Sequence, residues 1–204
     1  AAGAGRMVSV DLHSGQIQGF FYGPVDHLTA MPVLEKYVRK NAGDGMVIVS
    51  PDAGRVKVAE RFAQHLSDKN ADVAFINKRR PKGTTNVAVA KEVIGEVEGR
   101  LCILTDDMID TGGTIVSAAE LLRERGATEV WAMATHGVLS GPAVERLEQS
   151  AISRVVVTNT LPLAKDKQID KIEVLSVAQI LADALAAVFD ETSVSELFGG
   201  ENQS

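Results

Sequence analysis

Short apolar runs alternate with longer amphipathic segments along most of this chain. The run Met46–Ser50 has the length of a strand, and the segment after it repeats apolar residues at helical spacing. This alternation predicts βαβ units and a central, mostly parallel sheet with helices on both faces. The predicted strands are Met7–Leu12, Met46–Ser50, Val73–Asn77, Leu101–Leu104, Val130–Ala134, Val155–Thr158 and Val174–Leu175, and the predicted helices are Met31–Asn41, Val56–Leu66, Ile115–Arg125, Pro142–Gln149 and Val177–Phe189.

The composition agrees with a sheet buried between helices. Hydrophobic residues make up 45% of the chain but aromatic residues only 4%, so the core must consist of Val, Ile, Leu and Ala. The net charge of −6 gives no basic field, and we expect no nucleic-acid partner. Cys102 is the only cysteine, which predicts a buried, reduced thiol. No apolar run is long enough to span a bilayer, so we expect a cytoplasmic protein without a membrane partner.

The most distinctive stretch is Thr105–Ile115, TDDMIDTGGTI, at a predicted strand–helix junction. Gly112 and Gly113 allow backbone conformations in which successive N–H groups converge on an anion. The start of the following helix adds further amides, and Thr111 and Thr114 add hydroxyls. These features predict a phosphate cradle.

Two adjacent carboxylates precede this cradle. Asp106 and Asp107 are suitable acceptors for neighbouring hydroxyls, and Asp110 could contact the same sugar or a bound Mg²⁺. A ligand with a phosphate at one end and a cis-diol at the other would satisfy both parts of the loop, and ribose 5-phosphate is such a ligand. The alternative is an acidic turn followed by an ordinary helix cap.

Polar clusters follow four of the predicted strands. They begin at Asp11, Ser50, Lys78 and Asp106. Because ligands bind beyond the carboxyl ends of strands in open α/β sheets, we expect all four clusters at one edge of a single sheet.

The loop resembles the phosphoribosyl-diphosphate motif of type I phosphoribosyltransferases and of ribose-phosphate diphosphokinases, the phosphoribosyl-diphosphate synthetases. Thr105 stands where these families usually have an apolar residue, which should affect the packing under the loop. The resemblance implies a type I phosphoribosyltransferase-like fold. It also implies a ribose 5-phosphate site in which the hydroxyls are held by Asp106, Asp107 and Asp110 and the phosphate by Thr111, Gly112, Gly113 and Thr114.

A second stretch separates the two families. VDLHSGQIQGFF, Val10–Phe21, is similar to the synthetases and not to the transferases. In the synthetases the residue that matches His13 contacts the ATP phosphates and Mg²⁺, and Asp11 belongs to the same edge of the site. A structural role for a lone histidine is the alternative.

A third stretch, VSPDAGRVKVAERFA, Val49–Ala63, is also similar to the synthetases. Asp52 matches a position that binds a second Mg²⁺ and the ribose phosphate, and an ordinary Pro-Asp turn is the alternative. Arg55 replaces a glycine that is common in that family. It therefore either changes the loop geometry or adds a phosphate contact.

The basic stretch INKRRPKGTTNVA, Ile76–Ala88, resembles the catalytic flexible loop of the synthetases. Lys78 and Arg80 match its catalytic cations. In phosphoryl-group transfer such cations stabilise charge on the transferred group. A solvated charged turn is the alternative, and it is favoured for Arg79 and Lys82.

The stretch TSVSELF, Thr192–Phe198, resembles part of an allosteric site for inorganic phosphate and ADP in phosphate-activated synthetases. A short polar tail without a ligand is the alternative. The matching residues are Ser193, Val194, Ser195 and Phe198 from this stretch, with Gln18 and Asp26 from the first segment.

The resemblance extends over Ala1–Phe198 and implies transfer of the diphosphate group of Mg-ATP to the 1-hydroxyl of ribose 5-phosphate, giving phosphoribosyl diphosphate and AMP. We expect a single C-terminal domain over residues 1–198 and a disordered tail over 199–204. The family's N-terminal domain, which adds adenine-binding residues, is expected to be missing, so that the ATP site is incomplete and this chain could be inactive alone. Members form homo-oligomers, commonly hexamers. A free-standing phosphoribosyltransferase and a non-catalytic, synthetase-associated regulatory subunit stay open as alternatives.

Overall fold

The computed structural model describes residues 3–79 and 90–200 of the chain. Strands and helices alternate along most of the chain, as predicted. The strands are β1 (Met7–Val10), β2 (Val25–Leu28), β3 (Val47–Ser50), β4 (Asp72–Arg79), β5 (Ala90–Ile94), β6 (Leu101–Ile109), β7 (Glu129–Gly137), β8 (Arg154–Thr158) and β9 (Ile172–Leu175), and the helices are α1 (Met31–Asn41), α2 (Val56–His65), α3 (Gly113–Glu124), α4 (Ala143–Gln149) and α5 (Ala178–Phe189).

The central sheet has seven strands in the order β5-β4-β3-β6-β7-β8-β9. Its neighbouring strands are parallel except for β4 and β5, which are antiparallel. The chain leaves β3 towards β4 and later returns to the other side of β3 as β6. The carboxyl ends of β3 and β6 therefore border the point where the strand order reverses, which is where open α/β sheets bind ligands.

Both faces of this sheet are covered, because successive strand residues face opposite sides. Val47 and Val49 of β3 belong to a core cluster that includes residues of α3 and α4. Ile48, between them, belongs to a second cluster with residues of α1 and α2. The predicted mostly parallel sheet flanked by helices is confirmed. Cys102 is fully buried as predicted, and burial raises the pKa of its thiol to about 11.

The first strand does not belong to this sheet. β1 pairs with β2 in a separate parallel sheet of two strands, with Met7 opposite Val25. Leu28 of β2 is buried in a third cluster with Ala184 of α5 and Val194. The prediction that four polar clusters share one sheet edge is therefore wrong for the cluster after β1.

The largest difference in strand length is in β6, which continues to Ile109 instead of ending at Leu104. The strands β2 and β5 were not predicted. The sequences of these two short strands, VDHL and AKEVI, carry charged residues and lack a clear apolar alternation. Within the described ranges, no helix combines the length and the apolar character needed to cross a membrane.

Candidate functional site

The two adjacent carboxylates lie inside a strand and not in a loop. Asp106 is in register with Ala134 of β7, and the pairing of β6 with β7 extends to Ile109. The side chain of Asp107 is 2% exposed, whereas that of Asp106 is 20% exposed. The sheet therefore fixes both carboxylates before any ligand binds.

Two side chains that are distant in sequence, His13 and Arg55, contact this pair. Asp107 Oδ2 lies 2.6 Å from His13 Nδ1 and 3.2 Å from Arg55 Nη1. Arg55 Nε lies 3.4 Å from Asp106 Oδ1. His13 and Asp107 are 94 residues apart in sequence, so the fold brings together two of the predicted site residues. It also brings Arg55, which was predicted either to change the loop geometry or to add a phosphate contact, next to both carboxylates.

The environment drives the pKa values of the two carboxyls apart. Burial raises the pKa of Asp106 to about 7, and the hydrogen bond with Asp107 and the charge of Asp107 add to this effect. Burial also works to raise the pKa of Asp107. Hydrogen bonding with Asp106 and the charges of Arg55 and His13 outweigh it, so the pKa of Asp107 lies below its usual value. Asp107 is therefore the carboxylate of the pair that stays ionised at neutral pH.

The predicted cradle lies where β6 meets α3. Gly112 has a φ of 74°, in the left-handed region that favours glycine, and α3 begins at Gly113. A Cβ atom added at Gly113 would lie 3.4 Å from Arg146 Nη1 and 3.9 Å from Thr111 Oγ1. Thr111 and Thr114 are exposed. Both hydroxyls are therefore open to a ligand, whereas Gly113 is half-buried and Gly112 is buried.

A groove of about 280 Å³ joins the cradle to the acidic pair. Asp106 lines it directly, while Asp107 lines a smaller cavity below, together with the buried Thr105. The predicted residues in the groove lining are Asp52, Asp106, Asp110, Thr111, Gly112, Gly113 and Thr114.

Asp52 both caps a turn and faces the groove. Its Oδ1 accepts a hydrogen bond from the backbone N–H of Gly54 at 2.8 Å, and it precedes the 3₁₀ turn Ala53–Arg55 at the end of β3. Asp52 can therefore form the Pro-Asp turn and still bind a ligand in the groove.

Arg146 of α4 adds a cation that the sequence did not indicate. Its Nη1 donates to the backbone oxygen of Thr111 at 3.0 Å, next to the cradle. Ser140 donates its hydroxyl hydrogen bond to the carboxylate of Asp110. Both residues belong to the stretch ATHGVLSGPAVERL, which carries no local signal for a phosphate contact.

Asp11 has a structural position. Its φ is 41°, and its Oδ2 accepts hydrogen bonds from the N–H of Ala30 at 2.8 Å and from Thr135 Oγ1 at 2.6 Å. His136 Nε2 lies 3.1 Å from the backbone oxygen of Val10 and 3.0 Å from that of Asp11. Asp11, Thr135 and His136 thus attach the end of β1 to β7 and set the starting point of the segment that carries His13.

The predicted catalytic cations lie at the limit of the described residues. The backbone of Lys78 lies within β4, opposite Lys91 of the antiparallel β5, and not after the strand as expected. Arg80 and Lys82 lie outside the described residues. The roles of Lys78 and Arg80 remain predictions.

The predicted allosteric residues lie on the side of the small sheet. Val194 begins a 3₁₀ turn that ends at Phe198, and both pack in the cluster around Leu28 of β2. Asp26 of β2 forms an ion pair with Arg6. The other positions differ in exposure: Ser193 is exposed, Ser195 is half-buried, and Gln18 is half-buried with its Nε2 donating to the backbone oxygen of Gly15.

Sequence comparison identifies the family. The family model described as a phosphoribosyl synthetase-associated domain matches residues 69–199. The chain belongs to this family. The ribose-phosphate pyrophosphokinase of Caldanaerobacter subterraneus is 54% identical over 199 residues, which cover 97% of this chain and 61% of that protein. That of Streptomyces coelicolor is 53% identical over 198 residues, covering 97% and 60%.

A solved structure agrees with this assignment. The crystal structure of phosphoribosylpyrophosphate synthetase from Mycobacterium smegmatis is 51% identical, with a TM-score of 0.84 over 93% of this chain and 60% of that one. The predicted resemblance to the synthetases is confirmed. The chain spans about three fifths of the length of these relatives.

The donor groups of this phosphoribosyl synthetase family member do not form a closed metal cage. Among the residues described, no three His, Cys, Asp or Glu side chains converge as a metal site. Mg²⁺ is commonly held by one or two carboxylates together with substrate phosphates and water. Asp52, at the groove, and His13, with its side chain 69% exposed, fit a metal that arrives with phosphates.

Proposed function

We propose that the intact protein transfers the diphosphate group of Mg-ATP to O1 of ribose 5-phosphate, giving phosphoribosyl diphosphate and AMP. The observation that carries the proposal is the groove at the point where the strand order reverses. This groove has carboxylates at one end and the glycine turn at the other. The ribose-phosphate pyrophosphokinase activity in the names of the relatives supports the same reaction.

The 5-phosphate of the sugar would bind at Thr111–Thr114. The N–H groups of the left-handed turn and of the first turn of α3 carry partial positive charge. Arg146 lies next to this turn and adds a full charge. Because Gly113 lines the groove and presents no side chain there, the phosphate can approach its backbone closely.

The ribose hydroxyls would bind at the carboxylates. Asp106 and Asp110 line the groove and can accept hydrogen bonds from hydroxyls directly. Asp107 is already in contact with His13 and Arg55. Its Oδ1 also accepts a hydrogen bond from the backbone N–H of Met108 at 3.0 Å. We propose it as a ribose residue because an ionised carboxylate has about four acceptor positions, more than these three contacts use.

The part of the site that binds ATP and its metal ion would lie at His13 and Asp52. Asp107 binds Nδ1 of His13 and so orients the ring, and we propose that Nε2 meets the ATP phosphates. When bound there with the phosphates, Mg²⁺ would neutralise part of their charge. The inferred ligand set is His13 and Asp52, with the remaining positions filled by phosphate and water oxygens.

The chemical step exchanges one phosphorus–oxygen bond for another. O1 of the sugar forms a bond to the β-phosphorus, the bond from that phosphorus to the oxygen shared with the α-phosphorus breaks, and AMP leaves with that oxygen. The proton of the hydroxyl passes to solvent. Lys78 and Arg80 would stabilise the negative charge on the transferred group.

Several wider properties belong to the same proposal. We propose one domain over residues 1–198, a cytoplasmic location, a homo-oligomer such as the hexamer of the family, and inorganic phosphate and ADP as allosteric ligands at the small sheet. The buried reduced thiol of Cys102 agrees with a reducing compartment.

Phosphorus NMR tests the reaction. The intact protein is mixed with ATP, ribose 5-phosphate, Mg²⁺ and inorganic phosphate, and AMP and phosphoribosyl diphosphate should appear together. Release of diphosphate from phosphoribosyl diphosphate only after a base is added would instead indicate a phosphoribosyltransferase. A perturbed ribose 5-phosphate signal without turnover would indicate a chain that retains the sugar half of the site, as a regulatory subunit would.

Lys78→Ala tests the catalytic assignment. Loss of a cation that acts on the transition state should lower kcat by about 10²–10³-fold while ribose 5-phosphate affinity stays unchanged. Arg79→Ala is the matched control, because it removes an equal charge at the neighbouring position that the resemblance does not match to a catalytic cation, and it should retain turnover. Equal losses of kcat and affinity in Lys78→Ala would contradict a transition-state role.

A further inference from the structure

Arg55 occupies an unusual position between two carboxylates. Its guanidinium reaches Asp106 through Nε at 3.4 Å and Asp107 through Nη1 at 3.2 Å. The Arg55 side chain is 27% exposed, whereas that of Asp107 is only 2% exposed. Nε is buried, and within the described part of the chain it has no hydrogen-bond acceptor in suitable geometry. The contact with Asp106 is therefore electrostatic and is not a hydrogen bond.

The position of Arg55 has an electrostatic consequence for the groove. Asp52, Asp106 and Asp110 line one groove, and Asp107 lies directly behind it. Carboxylate oxygens gathered in this way are the donors that hard divalent cations prefer. The guanidinium already contacts an oxygen of each member of the pair. A divalent cation at Asp106 and Asp107 would have to displace it or accept repulsion from it.

A cation at the pair would also compete with a sugar. An oxygen that ligates a metal has less capacity to accept a hydrogen bond from a hydroxyl. Arg55 balances charge from the side, through its contacts with one oxygen of each carboxylate. Since the two carboxylates have further acceptor positions, the pair can still receive hydroxyls.

We propose that Arg55 is a positioning residue that acts as a built-in counter-ion: it keeps divalent cations away from Asp106 and Asp107 and reserves this pair for ligand hydroxyls. The identity of that ligand rests on the proposed function, whereas the exclusion of cations does not. Divalent cations are directed instead to the part of the groove around Asp52.

The test is Mn²⁺ binding to the full chain without substrate, followed by electron paramagnetic resonance of the free ion. Arg55→Gln should gain one bound Mn²⁺ per chain, with an affinity at least about 10-fold above any that the natural chain has at this pair, a change of about 1.4 kcal/mol. Arg55→Lys keeps the charge and should titrate like the natural chain. Arg39→Gln is the matched control, because it removes an equal charge from a surface pair with Asp68. It should change nothing.

Two further variants assign the gained ion to the pair. Asp106→Asn added to Arg55→Gln should abolish the gain. Asp106→Asn alone should leave the Mn²⁺ titration of the natural chain unchanged, and this holds even if Arg55→Gln does not fold. Superimposed titrations of Arg55→Gln and the natural chain would overturn the proposal. Loss of a Mn²⁺ ion in Asp106→Asn alone would also overturn it, since the pair would then already bind a cation.

A ribose 5-phosphate titration separates this proposal from the proposed function. In Arg55→Gln, Mn²⁺ should compete with ribose 5-phosphate, and in the natural chain it should not. If ribose 5-phosphate binds to neither, the proposed sugar site is wrong, while the Mn²⁺ comparison still decides the role of Arg55.

Discussion

The two ends of the groove are built in different ways. The acidic half, Asp106 and Asp107, lies inside β6 and is held by side chains from distant segments, namely His13 and Arg55. The glycine half, Thr111–Thr114, lies beyond the strand and owes its shape to local backbone conformation. The acidic half is thus coupled to the stability of the fold, whereas the glycine half can change with little effect outside the site. Substitutions in the acidic half should therefore lower stability, whereas substitutions in the glycine half should mainly weaken ligand binding.

Asp107→Asn should have the largest effect. It leaves the guanidinium of Arg55 and the ring of His13 without the buried charge that they contact, and we expect the free energy of unfolding to fall by about 1–3 kcal/mol. Urea denaturation measures this. Asp110→Asn is the control in the same groove. Because Asp110 is exposed, its substitution should change stability by less than about 0.5 kcal/mol. An Asp107→Asn variant as stable as the natural chain would contradict the claim that the acidic half contributes more to stability than the glycine half.

Gly112→Ala should have the next largest effect, on binding. A side chain at the φ of 74° costs about 1–2 kcal/mol, so ribose 5-phosphate affinity should fall about 5–30-fold as the turn relaxes to another shape. Gly113→Ala is the matched control, because Gly113 lacks a positive φ and its added Cβ would make only ordinary contacts. Calorimetry should show a loss of less than about 3-fold. Equal losses of affinity in the two variants would mean that the space left by the missing side chains, and not the left-handed conformation of Gly112, decides phosphate binding.

Another effect concerns the pH dependence of stability. The pKa of Asp106 is raised to about 7 in the folded protein from 3.8, so between these values the folded state holds a proton that the unfolded state has lost. Stability must therefore fall as pH rises through this range, by at most about 1.4 kcal/mol per pH unit. Between pH 5 and 7 the natural chain should lose stability relative to Asp106→Asn, and above pH 8 the difference should be constant. A difference that rises with pH would contradict the burial of this carboxyl.

The sequence predicted those features that depend on local patterns. The alternation of apolar runs predicted the covered parallel sheet, and the Gly112-Gly113 pair predicted an open turn at the start of a helix. The continuation of β6 through Asp106 was missed because carboxylates are rare in strands, and here pairing with β7 overrides their propensity. The small sheet was missed because VDHL carries no apolar alternation.

The contacts within the site could not be predicted because they join distant parts of the chain. In the sequence, Arg55 stood out only because it replaces a glycine that is common in the family. Its position next to the acidic pair depends on the pairing of β3 with β6. Arg146 reaches Thr111 from 35 residues away. Asp11 was assigned to the ligand edge of the site from its neighbours in sequence, but its carboxylate joins the end of β1 to Thr135.

The most direct test of the account compares ribose 5-phosphate with 2-deoxyribose 5-phosphate, each titrated into the chain and followed by phosphorus NMR and calorimetry. If the two halves form one sugar-phosphate site, both phosphate signals shift, and the deoxy sugar binds about 10-fold more weakly because one hydroxyl is missing. Asp106→Asn should remove most of that difference and Gly112→Ala should weaken both ligands. Equal affinities of the two sugars for the natural chain, or a ribose 5-phosphate signal that does not move, would contradict the account.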